Sequence, residues 1–84
     1  MAFVYMLRCA DNTLYTGWTT DLQKRLAMHN DGKASKCTRA RLPVELVYFE
    51  ECEDKSAALK REIAIKKLDR RQKEMLVASL TVAE

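Results

Sequence analysis

The chain has 84 residues, of which 48% are apolar and 32% charged, with a net charge of +3. A chain of this length makes one domain, here taken as residues 1–84, and it buries about 60–65% of its unfolded surface. No apolar run reaches membrane-spanning length, which excludes a transmembrane protein. The three cysteines form no paired pattern, which argues against a zinc site or a disulfide framework. Since no signal peptide is present, we expect a cytoplasmic protein.

The first two predicted elements are strands over residues 2–9 and 13–19, which are rich in β-branched and aromatic side chains. Residues 10–12 are typical of a tight hairpin loop, because asparagine tolerates the left-handed backbone that closes it. A three-residue loop puts Tyr5 and Tyr15 on one face of the hairpin, whereas a two-residue loop would put them on opposite faces. We predict the three-residue loop.

A helix over about residues 21–30 follows the hairpin. Thr20 with Gln23 is a capping-box pattern at its start, and Gly32 is a stop signal after its end. Residues 33–41 have loop character. The sequence therefore predicts a short helix followed by a loop that carries no regular structure.

The predicted helix has two distinct faces. Leu22 and Leu26 form its buried ridge. Arg25 and His29 are also four residues apart, so their side chains lie together on one face.

A third strand over residues 44–50 alternates around an apolar centre. Asp54 or Ser56 then caps a helix that runs to about Leu68. Within that helix we expect the apolar side chain of Leu59, and that of Ile63 one turn later, to face the core.

Asp69 with Gln72 three residues later starts a final helix, in which Met75, Leu76 and Leu80 keep helical spacing. The predicted order is β-β-α-β-α-α. The sequence thus predicts an α+β fold, with a small three-stranded antiparallel sheet flanked by helices.

Positive charge is concentrated in two blocks that are separated by acidic residues. The first block, which we call the basic segment, contains four cations and no acid, namely Lys33, Lys36, Arg39 and Arg41. The second covers residues 55–73. Two such blocks can form a cationic face that attracts phosphate backbones, although a solvated helix face is the alternative interpretation.

Five polar side chains stand out together: Tyr5, Tyr15, Arg25, His29 and Glu62. They supply a base, a cation for phosphate, a proton acceptor and one carboxylate for a metal, which suits cleavage of a phosphodiester. Each residue alone has a structural explanation, since strand tyrosines are usually core residues and a helix histidine or arginine is commonly a surface group. The joint spacing of these five residues favours a functional site.

In that spacing the chain resembles the GIY-YIG nuclease superfamily, named after motifs in its first two strands. Phe3-Val4-Tyr5 and Tyr15-Thr16-Gly17 match the two motifs, and Arg25 with His29 matches the helix motif. Glu62 matches the metal-binding glutamate. More narrowly, the resemblance is to the small, stand-alone bacterial branch. Trp18 departs from the pattern, because many family nucleases carry a lysine there.

The resemblance implies metal-assisted hydrolysis of nucleic acid. We expect DNA, including structured or damaged DNA, as the substrate, with RNA as the open alternative. Glu62 would bind Mg²⁺ or Mn²⁺, mainly when substrate is present. Arg25 would offset charge on the phosphate, and His29 would accept a proton from the general base. Tyr5 is the expected base, with Tyr15 orienting water or phosphate, although the two roles are interchangeable. Backbone binding is expected from Gly17 and from the basic segment.

Two alternatives remain open. The first is a nucleic-acid-binding module with weak or lost catalysis, favoured by Trp18 and by the lack of an appended DNA-reading domain. The second is an adaptor whose basic helix docks an acidic protein. A nuclease of this size is expected to be a monomer or weak dimer, with a protein partner as a further source of specificity.

Overall fold

The computed structural model describes residues 1–82, and its centre is a three-stranded antiparallel sheet. Strand β1 spans Ala2–Arg8, β2 spans Leu14–Thr19 and β3 spans Glu45–Cys52. The strand order is β2-β1-β3, so β1 is central and pairs with both neighbours. The predicted α+β class and antiparallel sheet are confirmed.

The first hairpin has the register that a three-residue loop requires. Tyr5 is paired with Gly17 and Leu7 with Tyr15. Asn12 has a φ of 70°, the left-handed backbone expected of asparagine in a tight loop. Tyr5 and Tyr15 therefore share one face of the sheet, as predicted.

Helix α1, Leu22–Asn30, begins one residue later than the capping-box pattern suggests. Asp21 is the N-cap, and its carboxylate accepts a hydrogen bond from the Lys24 backbone N–H. The prediction of Thr20 as the cap was wrong, because the aspartate beside it supplies the charged acceptor. At the other end Gly32 has a φ of 75° and ends the helix, as predicted.

A four-residue helix, α2, spans Lys36–Arg39 within the segment predicted to be a loop. Ser35 caps it, since its hydroxyl accepts from the Cys37 backbone N–H at 3.1 Å. The loop prediction was wrong for these four residues, because one turn of helix is too short to show a periodic apolar pattern. Thr38 in α2 is fully buried.

Helix α3, Lys55–Lys66, is capped by Asp54. Its buried residues are Ala58 and Ile65, whereas the two side chains expected to face the core, Leu59 and Ile63, are 46% and 47% exposed. That prediction was wrong because α3 carries apolar side chains on several faces, so spacing alone does not fix its rotation.

Helix α4, Arg70–Val82, starts at the predicted capping box: Asp69 and Gln72 exchange side chain-to-backbone hydrogen bonds of 2.8 and 3.1 Å. Leu76 and Leu80 pack against the core, but Met75 is exposed, contrary to the expected pattern.

Buried apolar side chains lie on both faces of the sheet. On one face the cluster includes Ala2, Val4, Met6, Tyr48, Ala58 and Ile65, with the helices α3 and α4 packed over it. On the other face the cluster contains Tyr5, Leu7, Cys9 and Val44, covered by Leu22 and Leu26 of α1. Because β1 alternates between the two clusters, Tyr5 is directed to the α1 side. None of the helices within residues 1–82 is long and apolar enough to cross a membrane.

Candidate active site

The five polar side chains singled out in the sequence line one cavity of about 150 Å³. Both tyrosines come from the hairpin, the arginine and histidine from one face of α1, and the glutamate from α3. The full lining consists of Tyr5, Tyr15, Gly17, Trp18, Arg25, His29, Ala34 and Glu62. Side chains from the hairpin, α1 and α3 therefore converge on one polar recess.

A hydrogen bond between a tyrosine and the histidine forms the centre of this cavity. The Tyr5 hydroxyl lies 2.8 Å from His29 Nε2, and the side chains of both residues are almost wholly buried. Tyr15 packs edge-on against the same imidazole, with ring centroids 5.2 Å apart. The imidazole is thus held between two phenol rings and hydrogen-bonded to one of them.

Gly17 provides the space in which the two tyrosines meet. A Cβ at this position would lie 2.7 Å from the Tyr5 hydroxyl and 3.1 Å from the Tyr15 ring. Because Tyr5 and Gly17 are direct partners across the strands, a side chain here would push the phenol away from His29. A glycine is required here because the tyrosine side chains lie so close to its Cα, and not because of its backbone conformation.

The second nitrogen of His29 has a partner that the sequence did not indicate. Nδ1 lies 2.8 Å from the hydroxyl of Thr38, which is itself fully buried. Thr38 lies in the short helix α2, whose only sequence signal is the capping serine before it. The threonine was missed because a single hydroxyl in a basic segment has no distinctive spacing.

Asn30, beside the histidine, fixes the chain that follows α2. Its side chain donates to the Val44 carbonyl at 3.2 Å and accepts from the Val44 N–H at 2.9 Å. This pair of bonds holds the end of the segment that carries Thr38 against α1. Asn30 therefore helps to keep α2 beside the histidine.

Burial dominates the electrostatics of the tyrosine–histidine pair. It raises the pKa of Tyr5 well above the usual value of a phenol, with Tyr15 adding to the effect and Arg25 opposing it. Burial also lowers the pKa of His29, and the nearby Arg25 guanidinium lowers it further. Both groups are therefore neutral near pH 7, and the tautomer of the imidazole decides which of them donates in the bond between them.

Glu62 is the carboxylate of the cavity. Its side chain is only 13% exposed, and Lys66 one turn later lies 3.7 Å from it, a loose ion pair. Within residues 1–82 no three His, Cys, Asp or Glu side chains are grouped to hold a metal ion. One carboxylate facing a polar recess fits a hard cation that takes its remaining ligands from water and phosphate oxygens.

The basic segment begins beside the cavity. Lys33 precedes the lining residue Ala34, and Lys36 and Arg39 lie on α2. Arg41 is already engaged, since it pairs with Asp11 of the hairpin loop at 2.9 Å and donates to the Cys37 carbonyl. Lys33, Lys36 and Arg39 are exposed.

The fold and this site define a member of a nuclease-type family. The chain matches the GIY-YIG catalytic domain over residues 1–75, and it belongs to that family. Members of the family are generally nucleases, which hydrolyse nucleic acid and typically use divalent metals. The matched region includes every lining residue of the cavity.

Similar sequences include proteins of the UPF0213 group. A UPF0213 protein of Clostridium perfringens is 52% identical over 84 residues, covering 100% of this chain and 90% of the relative. Another, from Natronomonas pharaonis, is 54% identical over 79 residues, covering 94% of this chain and 93% of the relative. The resemblance to the small, stand-alone branch is confirmed.

Solved structures of similar proteins agree with the fold. The solution NMR structure of a UPF0213 protein from Bacillus halodurans has a TM-score of 0.59 and 43% identity, over 93% of this chain and 84% of that one. The solution NMR structure of a protein from E. faecalis has a TM-score of 0.62 and 39% identity, over 95% and 85% of the two chains.

Proposed function

We propose that this protein is a metal-dependent endonuclease that hydrolyses phosphodiester bonds in DNA. The observation that carries the proposal is the 2.8 Å hydrogen bond between the Tyr5 hydroxyl and His29 Nε2, in a cavity that also presents Arg25 and Glu62. A single recess thus contains a route for one proton, a cation and a carboxylate.

The tyrosine–histidine pair can take a proton from an attacking water. A neutral phenol is a weak base, since its ordinary pKa is about 10. Tyr5, however, can pass its own proton to His29 Nε2 while its oxygen receives one from water, so that no free phenolate has to form first. Because burial and Arg25 lower the pKa of His29, its imidazole is neutral before the reaction and carries no extra proton. Tyr15 would orient the water or the phosphate.

The other polar groups supply charge. Arg25 would lie against the non-bridging phosphate oxygens, where a guanidinium offsets the negative charge that builds during attack. Glu62 would hold Mg²⁺ or Mn²⁺ together with water and substrate oxygens. When bound, such an ion polarises the phosphate and stabilises the leaving oxygen.

The remaining parts of the proposal concern the surroundings of the site. The basic segment would hold the nucleic-acid backbone in a salt-dependent and largely sequence-blind way. A cytoplasmic location is supported by the three cysteines, which are all free thiols, since disulfides are rare in that compartment. We also propose that the substrate includes structured DNA and that a protein partner adds specificity.

A pair of tyrosine variants tests the chemistry. Tyr5→Phe removes the hydroxyl that touches His29, and we expect cleavage to fall by about a hundred- to ten-thousand-fold while the fold is retained. Tyr48→Phe is the matched control, because Tyr48 is also buried and hydrogen-bonded but lies in the other cluster, against Glu50. Tyr48→Phe should cut normally.

The substrates for this assay are branched, nicked and single-stranded DNA with Mg²⁺, and Glu62→Ala is the inactive reference. Normal cleavage by Tyr5→Phe together with loss in Tyr15→Phe would assign the base to Tyr15. Normal cleavage by both phenylalanine variants would reject tyrosine-based chemistry.

A nucleic-acid-binding role without efficient catalysis is the second candidate. The raised pKa of Tyr5 favours it, since a more basic phenol gives up its proton less readily. Trp18, which lines the cavity, also takes the place of the lysine that many family nucleases carry. This role would be established if the protein binds the substrates of the panel but cleaves none of them when Mg²⁺ is added.

A further inference from the structure

A chain of hydrogen bonds leads from the cavity into the short helix behind it. Tyr5 bonds to His29 Nε2, and His29 Nδ1 lies 2.8 Å from the Thr38 hydroxyl. That hydroxyl donates to the Ser35 carbonyl at 3.3 Å. The chain thus ends on a backbone oxygen, which can only accept.

The direction of each bond along this chain depends on where the single hydroxyl proton of Thr38 goes. In the bond to Ser35 that proton goes to the carbonyl oxygen, which also accepts the Arg39 backbone N–H at 3.0 Å. The oxygen of Thr38 is then left as an acceptor, so His29 Nδ1 has to be the donor in the bond between them. A neutral imidazole carries one N–H, which leaves Nε2 as the acceptor for the phenol.

We infer that Thr38 is a positioning residue, which holds His29 in the Nδ1–H tautomer so that Nε2 can accept the proton of Tyr5. The opposite tautomer would direct an N–H at the phenol oxygen and block proton transfer in the required direction. The effect on rate rests on the proposed nuclease function, whereas the tautomer assignment does not.

The structure supports this assignment beyond the two distances. Thr38 is fully buried and His29 is almost fully buried, so water does not compete for Nδ1. The capping hydroxyl of Ser35 and the paired bonds between Asn30 and Val44 hold the segment at its two ends. The hydroxyl is therefore fixed by backbone structure on both sides.

The tautomer can be measured directly in the wild-type protein. His29 is the single histidine of the chain, so the imidazole signals of a ¹⁵N-labelled sample belong to it alone. We expect a long-range ¹H–¹⁵N spectrum at neutral pH to show Nδ1 protonated and Nε2 as the unprotonated, pyridine-type nitrogen. A spectrum with Nε2 protonated would overturn the inference without any mutation.

Thr38→Val replaces the hydroxyl by a methyl group of similar size. We expect it to lower kcat by about ten- to a hundred-fold, by analogy with the loss of a hydrogen-bond partner that orients a metal-bound histidine, with KM little changed. The spectrum of the same variant should show Nε2–H populated. Thr38→Ser, which keeps the hydroxyl, should restore both the Nδ1–H signal and most of the rate.

A matched threonine separates this role from a general loss of stability. Thr13→Val removes a hydroxyl hydrogen bond in the hairpin loop, where Thr13 donates to Asp11 at 2.6 Å, and should leave the tautomer and kcat unchanged. Normal kcat in Thr38→Val would overturn the positioning role even if the nuclease is active. If the wild type does not cleave at all, the proposed function fails, and the spectrum still decides the tautomer.

Discussion

At the scale of single residues, Gly17 shows how closely the site is packed. We expect Gly17→Ala to cost about 1–3 kcal/mol in the free energy of unfolding, because an added methyl group overlaps an aromatic ring that has little room to move. The contact concerned is 2.7 Å to the Tyr5 hydroxyl and 2.9 Å to the ring carbon that bears it. Urea unfolding measures the loss, and nuclease assays should show a lower rate.

A double-mutant cycle tests the cause of that loss. Tyr5→Phe removes the closer of the two contacts, so Gly17→Ala should be less destabilising in the Tyr5→Phe background than in the wild type. Equal costs in both backgrounds would contradict the close-approach explanation and would indicate a backbone effect instead.

The residues that line the cavity could largely be predicted from the sequence, whereas the residues that hold them in place could not. Tyr5, Arg25 and His29 follow from hairpin register and helical spacing, which are local properties. Thr38 and its bond to His29 depend on how the segment after α1 folds back, which no periodicity records.

At the scale of elements, a salt-bridge network attaches α4 to the hairpin. Glu74 lies 2.7 Å from Arg8 of β1 and 2.8 Å from Arg70, and Arg70 also donates to the Asn12 carbonyl at 2.7 Å. These charge-assisted bonds lower the pKa of Glu74 from 4.5 to about 2. The last helix is therefore tied to β1 through the Glu74 carboxylate and to the hairpin loop through Arg70.

This network predicts how stability depends on pH. The pKa of Glu74 is lower in the folded protein than in the unfolded chain. The stability that its ionised carboxylate contributes is therefore complete above pH 4.5 and is lost as the pH falls toward 2. We expect Glu74→Gln to lower the free energy of unfolding by about 1 kcal/mol at pH 7, a modest value because the pair is partly exposed. The difference from the wild type should shrink between pH 4.5 and 2.

Urea unfolding of both proteins across that pH range provides the measurement. Glu53→Gln, which changes an exposed carboxylate, is the control and should match the wild type. A stability difference for Glu74→Gln that stays constant down to pH 2 would contradict the role assigned to this carboxylate.

The elements also show where sequence patterns are sufficient and where they are not. Hairpin register follows from loop length, and the start of α4 follows from its capping box, because both are set by bonds between near neighbours. The rotation of α3 was mispredicted because Leu59 and Ile63 are as apolar as Ala58 and Ile65. Only packing against the sheet selects the buried pair.

At the scale of the whole molecule, sheet order separates opposite charges. Tyr15 and Gly17 of the cavity lie on the edge strand β2, whereas Glu45, Glu50 and Glu51 lie on the opposite edge strand β3. Glu50 is in turn neutralised by Arg61 at 2.9 Å. The small net charge of +3 therefore understates the field near the cavity, where the basic segment begins.

This separation predicts which cations hold nucleic acid. Lys36 and Arg39 are exposed on α2, and we expect replacing either one with alanine to weaken binding about equally for all sequences. Each change should lower the slope of log K against log salt by roughly one unit, because one phosphate contact is lost. Arg41→Ala should lower the slope less, since Arg41 already pairs with Asp11.

Fluorescence titration of labelled DNA at several salt concentrations measures these slopes, with Mg²⁺ omitted so that no cleavage intervenes. Lys55→Ala is the matched control, because Lys55 is exposed at the start of α3, directly after the acidic residues Glu53 and Asp54. Its slope should equal that of the wild type. If Lys36→Ala and Arg39→Ala keep the wild-type slope while Lys55→Ala lowers it, the nucleic acid binds over α3 rather than over α2, and the basic segment is a solvated surface.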